Sequence, residues 1–396
     1  MTEAVTFSDM TSRYLIVSSD CHAGANHATY REYLPAAWHE EFDAWRGRYR
    51  NPFRDLQADG RTRNWDDARR TSEQEADGIV AEVVFPNTVP PFFPTGQVVA
   101  PAPKNDEDFP RRLAGLHAHN RWLVDFVRER PGRRAGLGQI FLNDVEQAVE
   151  DVRWMKANGL AGVLLPGVSP DTPWVEPLFS PAYEPLWTVC EELEMSVTHH
   201  SGGSGIPSYG RYPFANALFV METGFFANRA MWHLMLSGVF DRHPHLKLVL
   251  TEQGSAWVPG VLDRMDTLWD RMTGGRIGEL DVPEGAVTKR RPSEYFVDNV
   301  WLGASFPTPK DAECFADIGI DKIMWGSDYP HDEGCFPRSR ESLRAAFSSW
   351  PERDMRKILS ENIAPVYGFD LEALAPIAAR VGPTVEEIAT PLDPAA

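Results

Sequence analysis

Asp20-Cys21-His22 closes the run Tyr14-Leu15-Ile16-Val17-Ser18-Ser19. A strand sends alternate side chains to one face, so Asp20 and His22 point the same way at the strand's C-terminal end, and Cys21 points away. A carboxylate and an imidazole presented together make half of a divalent metal site. The same two residues also make an ordinary buried Asp–His hydrogen bond. Three further segments weigh between these readings. Ser196-Val197-Thr198-His199-His200, Leu248-Val249-Leu250-Thr251-Glu252 and Ile323-Met324-Trp325-Gly326-Ser327-Asp328 also read as short strands that end in ligand-type residues. Strand ends that all finish in His, Asp or Glu point to a metal-centred enzyme.

The elements that must position these residues alternate. Candidate strands are Tyr14–His22, Ala81–Asn87, Ala135–Phe141, Ala161–Gly167, Ser196–Gly202, Leu246–Glu252, Val300–Ser305 and Lys322–Asp328. Helical apolar spacing falls between most of them, over Phe109–Arg130, Val145–Asn158, Ala182–Leu193, Glu222–Phe240, Ala256–Met272, Ala312–Ile318, Ser339–Phe347 and Glu352–Ser360. Strands alternating with helices imply parallel pairing through crossovers. The expected class is α/β, a (β/α)₈ TIM barrel in a single domain over residues 1–396. An open doubly wound sheet competes, but no GxGxxG follows a first strand and no GxxxxGK[ST] occurs. A closed barrel also brings the ends of strands 1, 5, 6 and 8 to one mouth.

Two stretches interrupt the alternation. Residues 23–74 carry Trp38, Phe42, Trp45 and Trp65 and are expected to fold over the mouth as a lid after strand 1. Thr88–Asp108 holds Pro90, Pro91, Pro94, Pro101 and Pro103, so it reads as a long loop after strand 2 that shapes a pocket. Residues 370–396 read as a C-terminal helix and a frayed tail.

The net charge of −18 repels phosphate backbones and anionic membranes, so neither nucleic acid nor membrane is an expected partner. Cys21, Cys190, Cys314 and Cys335 form no CxxC pair, which argues against a disulfide framework and a thiolate zinc site. No run of 18 apolar residues occurs, and Met1 to Met10 lacks a basic-then-apolar leader pattern, so a cytoplasmic protein is expected.

Parity assigns the side chains. In strand 5, Met195, Val197 and His199 share the face that suits helix packing, which favours His200 as the inward residue and His199 as a core or supporting histidine. Asp328 can bind metal or take a proton from bound water. Glu252 reads as a ligand or an acid–base group, against the alternative of a helix N-terminal charge. Glu73, Glu75 and Asp77 read as a solvated helix end, with Glu75 the one that could reach the site. His117, His119 and His233 lie on helices and read as structural, and His243 and His245 face the other end of the barrel.

These segments resemble the amidohydrolase superfamily, in the branch of aminocarboxymuconate-semialdehyde decarboxylase and the resorcylate-type decarboxylases. The resemblance rests on Asp20-Cys21-His22, on His200-Ser201-Gly202, and on the lead-in Ser237-Gly238-Val239-Phe240-Asp241-Arg242-His243-Pro244-His245-Leu246-Lys247. Gly326-Ser327-Asp328-Tyr329-Pro330-His331 and Glu361-Asn362-Ile363-Ala364-Pro365-Val366-Tyr367-Gly368 complete it. By resemblance, Asp20, His22, His200 and Asp328 occupy metal-ligand positions at the barrel mouth. The metal is usually zinc, sometimes manganese. The chain departs from the branch at Asp20, where many members have His or Glu, and at Glu252, where a His often serves as the acid–base residue. A Glu donates a proton at neutral pH only if its pKa is raised.

The expectation is therefore a metal-dependent hydrolase or non-oxidative decarboxylase of a small, cyclic or aromatic carboxylated substrate, with Asp328, Glu252 and His200 as catalytic groups and Asp20, His22, His200, Glu252 and Asp328 around the metal. The carboxylate-rich set raises a rival, a non-haem diiron monooxygenase holding two Fe. A non-catalytic binding barrel is the third reading. A homodimer is the oligomer that the resemblance suggests.

Overall fold

A computed structural model describes residues 12–50, 59–94, 100–104 and 107–393. The Met1 to Met10 reading, parts of both insertions and the last tail residues lie outside the described residues.

The barrel strands are β1 Val17–Ala23, β2 Ala81–Pro86, β3 Arg134–Gln139, β4 Gly162–Leu164, β5 Ser196–His200, β6 Leu248–Thr251, β7 Val300–Ser305 and β8 Ile323–Gly326, and Arg276–Ile277 and Leu280–Asp281 pair as a separate small hairpin. The barrel strands form one 8-stranded parallel sheet in chain order. The ring closes at its C-terminal end, where Asp328 N donates to Asp20 O at 2.8 Å and His22 N donates to Tyr329 O at 2.6 Å. Strand β1 shifts register between Ser18 and Cys21. There the Ser18 hydroxyl replaces a ladder carbonyl and accepts from Ser327 N at 2.9 Å. Gly326 permits this junction, because a Cβ on it would meet the Asp20 Cβ at 2.7 Å.

Period-2 alternation divides the apolar residues into two cores. Val197, Leu250, Leu302, Ile323 and Trp325 face the helical layer. Val17, Val83, Leu137, Val249 and Met324 fill the interior, together with Ile363, Val366 and Tyr367 from the segment beyond the helical turns after β8. Tyr367 Oη and Thr198 Oγ1 lie 2.9 Å apart, so Thr198 points inward. His200, two residues on, shares that side.

The helices that matter to the site are α1 Asp67–Ala76, α2 Asp108–Arg128 and α3 Ala215–Leu236. Two expectations need correction. The helix expected over Glu222–Phe240 begins at Ala215 and ends at Leu236, because Gly238 (φ 72°) breaks it before the short helix Val239–Arg242. The described part of residues 23–74 also does not close over the cavity, whose lining residues begin at His22 and resume at Phe85. It buttresses the loop after β2 instead: Trp45 Nε1 donates to Phe93 O at 2.9 Å, and His27 Nε2 lies 3.1 Å from Val89 O. Burial drives this placement, since Phe42 and Tyr30 are fully buried against α2 and that loop. Among the described residues no helix is long and apolar enough to cross a membrane.

Candidate metal centre

Four strand ends converge. His22 Nε2 lies 3.2 Å from Asp20 Oδ1 and 3.2 Å from Asp328 Oδ1. His200 Nε2 lies 3.5 Å from Asp20 Oδ1 and 3.4 Å from Glu252 Oε2. Asp20 and Asp328 are fully buried, and His22 and His200 nearly so. These atoms approach one another without hydrogen-bond geometry. Among the described residues Asp20 Oδ1, His22 Nε2, His200 Nε2 and both Asp328 carboxylate oxygens lack a hydrogen-bond partner. Buried polar atoms left in this way are costly unless something else satisfies them. Asp20, His22 and His200 offer atoms mutually within 4.8 Å, as do His22, Asp328 and His331. A cation fits this donor set.

The surroundings hold the donors in place. Ser305 Oγ donates to Asp20 Oδ2, leaving Oδ1 for the cluster. His22 Nδ1 lies 3.3 Å from the Pro86 carbonyl, which can only accept, so Nδ1 carries the hydrogen and Nε2 presents its lone pair. His200 differs: Gly202 N donates to its Nδ1 at 3.1 Å, which places the neutral ring's hydrogen on Nε2, facing Asp20 and Glu252. A cation at Nε2 would require that hydrogen on Nδ1 instead, and so would displace the Gly202 contact.

The electrostatics demand positive charge. Burial alone would lower the His22 pKa, but Asp20 and Asp328 push it well above the ordinary histidine value. Burial would raise Asp20, yet His200 and His22 hold it far below the usual carboxylate range. The two carboxylates thus favour positive charge at His22. Glu252 moves the other way. Burial raises its pKa, and Asp20 and Asp328 add to the rise against His200 and the Ser201 hydroxyl, which donates to Oε2.

Glu252 reaches the site against parity. Val249 faces inward, so alternation would turn Glu252 outward. Its φ of 57° re-aims the side chain, and Asp328 has the same left-handed backbone, with φ of 59°. Such conformations are strained in residues with a Cβ, and they concentrate at functional sites.

The cluster opens into a cavity of about 640 Å³. Phe85, Phe93, Phe141, Leu164 and Val175 form apolar walls, and His22, His200, Glu252 and His331 come to its surface. The Pro-rich loop contributes Pro90, Phe93 and Pro94.

The other residues singled out by sequence lie elsewhere. Glu75 pairs with Arg133 at 2.7 Å and Arg380 at 3.0 Å, outside the cluster. Glu73 pairs with Arg63 and Arg69 and accepts from Tyr329 Oη, and Asp77 accepts from Ser339. His199 is buried and touched by Gln253 Nε2 at 3.1 Å. His119 meets Tyr30 Oη at 2.7 Å, His117 meets Asp151 at 2.8 Å, and His243 sits between Glu184 and Glu191. Two neighbours escaped the sequence reading. His331 Nδ1 lies 2.8 Å from Asp328 Oδ1, and its ring stacks on His22 with centroids 4.1 Å apart. Glu333 groups with Glu252 and Asp328. The i,i+3 offset of His331 from Asp328 was the available signal, but its value depends on the turn after β8.

The amidohydrolase family profile matches residues 20–369. Gamma-resorcylate decarboxylase of Rhodococcus jostii (strain RHA1) is 28% identical over 287 residues, which cover 68% of this chain and 82% of that protein. The 5-carboxyvanillate decarboxylase of Novosphingobium aromaticivorans, solved with manganese and 4-hydroxy-3-methoxy-5-nitrobenzoic acid, superposes with a TM-score of 0.68 at 16% identity, over 93% of this chain and 99% of that one. The dihydroxybenzoic acid decarboxylase of Polaromonas sp. JS666, solved with manganese and 2-nitroresorcinol, gives a TM-score of 0.62 at 19% identity, over 89% and 97% of the two chains. With a profile that runs from the first metal-type residue of β1 to the end of the inner core, the chain belongs to the amidohydrolase superfamily, in the branch that holds these decarboxylases.

Proposed function

We propose that this protein is a metal-dependent, non-oxidative decarboxylase of a small aromatic carboxylic acid. The observation that carries the reading is the set of convergent, otherwise unsatisfied donors beneath an apolar cavity. Asp20, His22, His200 and Asp328 are the proposed ligands of one divalent cation. Imidazole and carboxylate without thiolate suit manganese as well as zinc, and the relatives' manganese supports the former. When bound, the cation supplies a Lewis acid for the substrate's oxygens.

The chain's own residues do the rest. Phe85 packs at 4.7 Å from His200 and 5.7 Å from His22, ring centroid to centroid, and presents an apolar face to an aromatic substrate. The apolar cavity walls suit an aromatic ring. Breaking the carbon–carboxylate bond leaves an electron pair on the ring carbon, and that carbon takes a proton. Glu252 lines the cavity, and burial raises its pKa, so it is the proposed proton donor. Asp328 acts as ligand and, with His331, as a second place where a proton can rest.

The relatives give no support to the diiron oxygenase or the non-catalytic barrel. The four cysteines are free thiols and fit a cytoplasmic protein. The exposed Val220, Met221 and Phe225 on α3 support a homodimer.

Manganese-loaded protein given 2,6-dihydroxybenzoate and related hydroxybenzoates under nitrogen tests the reading. It predicts CO₂ release and the ring product without oxygen. An acid consumed only with oxygen, or hydrolysis of an ester or amide without CO₂, would replace it.

A further inference from the structure

His331 faces the metal cluster from the turn after β8, and the proposed ligand set leaves it aside. Its Nδ1 lies 2.8 Å from Asp328 Oδ1, and His22 Nε2 lies 3.2 Å from the same oxygen. The two imidazole rings stack with centroids 4.1 Å apart. His22, Asp328 and His331 thus offer three donor atoms within 4.8 Å of one another. Donors that share an ion at about 2.1 Å stand roughly 3 Å apart when they bind at right angles. The 2.8 and 3.2 Å separations around Asp328 Oδ1 match that spacing.

Which nitrogen His331 presents is decided outside the cluster, by a chain of amides that starts at a backbone carbonyl. Asn64 closes the turn Asp59–Asn64 before α1 and is fully buried. Its Nδ2 donates to Arg61 O at 3.0 Å. A carbonyl only accepts, so this bond fixes the Asn64 amide and turns its Oδ1 toward Asn87. Asn87 Nδ2 donates to that oxygen at 2.7 Å. Asn87 Oδ1 is then the atom that stands 3.3 Å from His331 Nε2, so Nε2 carries the ring hydrogen. Backbone bonds hold both amides: Gly24 N donates to Asn64 O at 3.1 Å, and Asn87 N donates to Ala23 O at 2.9 Å.

A neutral His331 therefore points its Nδ1 lone pair at the Asp328 carboxylate. Two acceptors 2.8 Å apart repel each other unless positive charge lies against both. Neither Asp328 oxygen has a hydrogen-bond partner among the described residues, so that charge has donors waiting on both sides.

We propose that His331 is a fifth donor to the divalent cation, through Nδ1, and that Asn87 and Asn64 are positioning residues that select that nitrogen. This rests on the reading of Asp20, His22, His200 and Asp328 as a metal centre. The lone pair that can hold a proton in the metal-free site is the one the cation takes. The first insertion then serves the site from behind, through Asn64.

The test loads apo-protein with cobalt(II) and counts the strongly shifted, exchangeable imidazole N–H protons by NMR, one for each histidine ligand. The wild type should show three, from His22, His200 and His331, and His331→Gln should show two. Manganese affinity is measured by competition with a chelator. It should fall about 10- to 100-fold in Asn87→Leu, the usual cost of losing such a partner. Asn87→Asp keeps an acceptor for the Nε2 hydrogen and should lose less. If Asn87→Leu does not fold, Asn87→Ala is read in its place with the same expectation. Two shifted protons in the wild type overturn the proposal, as do three in His331→Gln or undiminished manganese affinity in Asn87→Leu. CO₂ release is scored separately. Three ligating imidazoles without CO₂ release keep the assignment and remove the proposed reaction, and CO₂ release with two does the reverse.

Discussion

Arg70 donates through Nη1 to the backbone carbonyl of His22 at 2.7 Å. Its guanidinium also lies 4.8 Å from the Tyr329 ring centroid, next in the chain to Asp328. One buried cation thus ties together the two strand ends between which the barrel closes. Glu82 balances it, bonded to Arg70 Nε at 2.8 Å, to Gln74 Nε2 at 2.7 Å and to Arg134 Nε at 3.1 Å. The metal centre stands on this network.

Arg70→Met should therefore cost stability and metal affinity together. It leaves the buried Glu82 carboxylate with Gln74 and Arg134 alone, a change worth about 3–5 kcal/mol. The double variant Arg70→Met/Glu82→Leu should recover much of the stability, because Arg134 keeps Asp67 at 2.8 Å. Chemical denaturation of the two variants checks this. Equal losses in both would show that the charge balance is not what holds the strand ends.

Acid should attack the same network. Burial would raise the Glu82 pKa, but Arg70 and Arg134 bring it down to about 2 from an ordinary 4.5. A carboxylate depressed on folding stabilises the fold above its unfolded pKa and loses that contribution as pH falls through the folded value. The urea midpoint should drop from pH 5 toward pH 2. In Glu82→Gln it should already be low at pH 7 and change less over that window. A Glu82→Gln profile parallel to the wild type would assign the acid sensitivity to other groups.

Glu252→Gln separates the two roles open to that residue. If Glu252 donates the proton, the amide keeps metal content and lowers kcat by about 10²–10⁴-fold. Loss of metal would make it a ligand instead. Glu252→Gly adds an independent readout, since glycine takes φ of 57° without strain. That variant should be inactive yet unfold at the same temperature or higher.

What the sequence displayed follows from period and position. Asp20, His22, His200 and Asp328 end apolar runs, and strand alternation suffices to aim His200, whereas Asp20 and His22 have the opposite parity to the inward Val17 and owe their aim to the register shift between Ser18 and Cys21. The choice of His200 over His199 came from the apolar partners Met195 and Val197, which face the helical layer. Glu252 was found for an incomplete reason: it ends a strand, but its aim comes from a left-handed backbone that no pattern announces. His331 depends on a turn. In the first insertion, aromatic content marks burial without saying what the described part buries against. Trp45 and Phe42 serve the loop after β2, not the mouth.

Manganese content is the most direct test of the central claim, that Asp20, His22, His200 and Asp328 hold one divalent cation beneath the cavity. Apo-protein is reloaded with manganese, desalted and assayed for metal per chain, beside His22→Ala and Asp328→Asn proteins confirmed as folded by circular dichroism. The account predicts about one manganese per chain in the wild type and nearly none in either variant, because a site with so few ligands has no redundancy. Stoichiometric manganese in both folded variants, or none in the wild type, would contradict it.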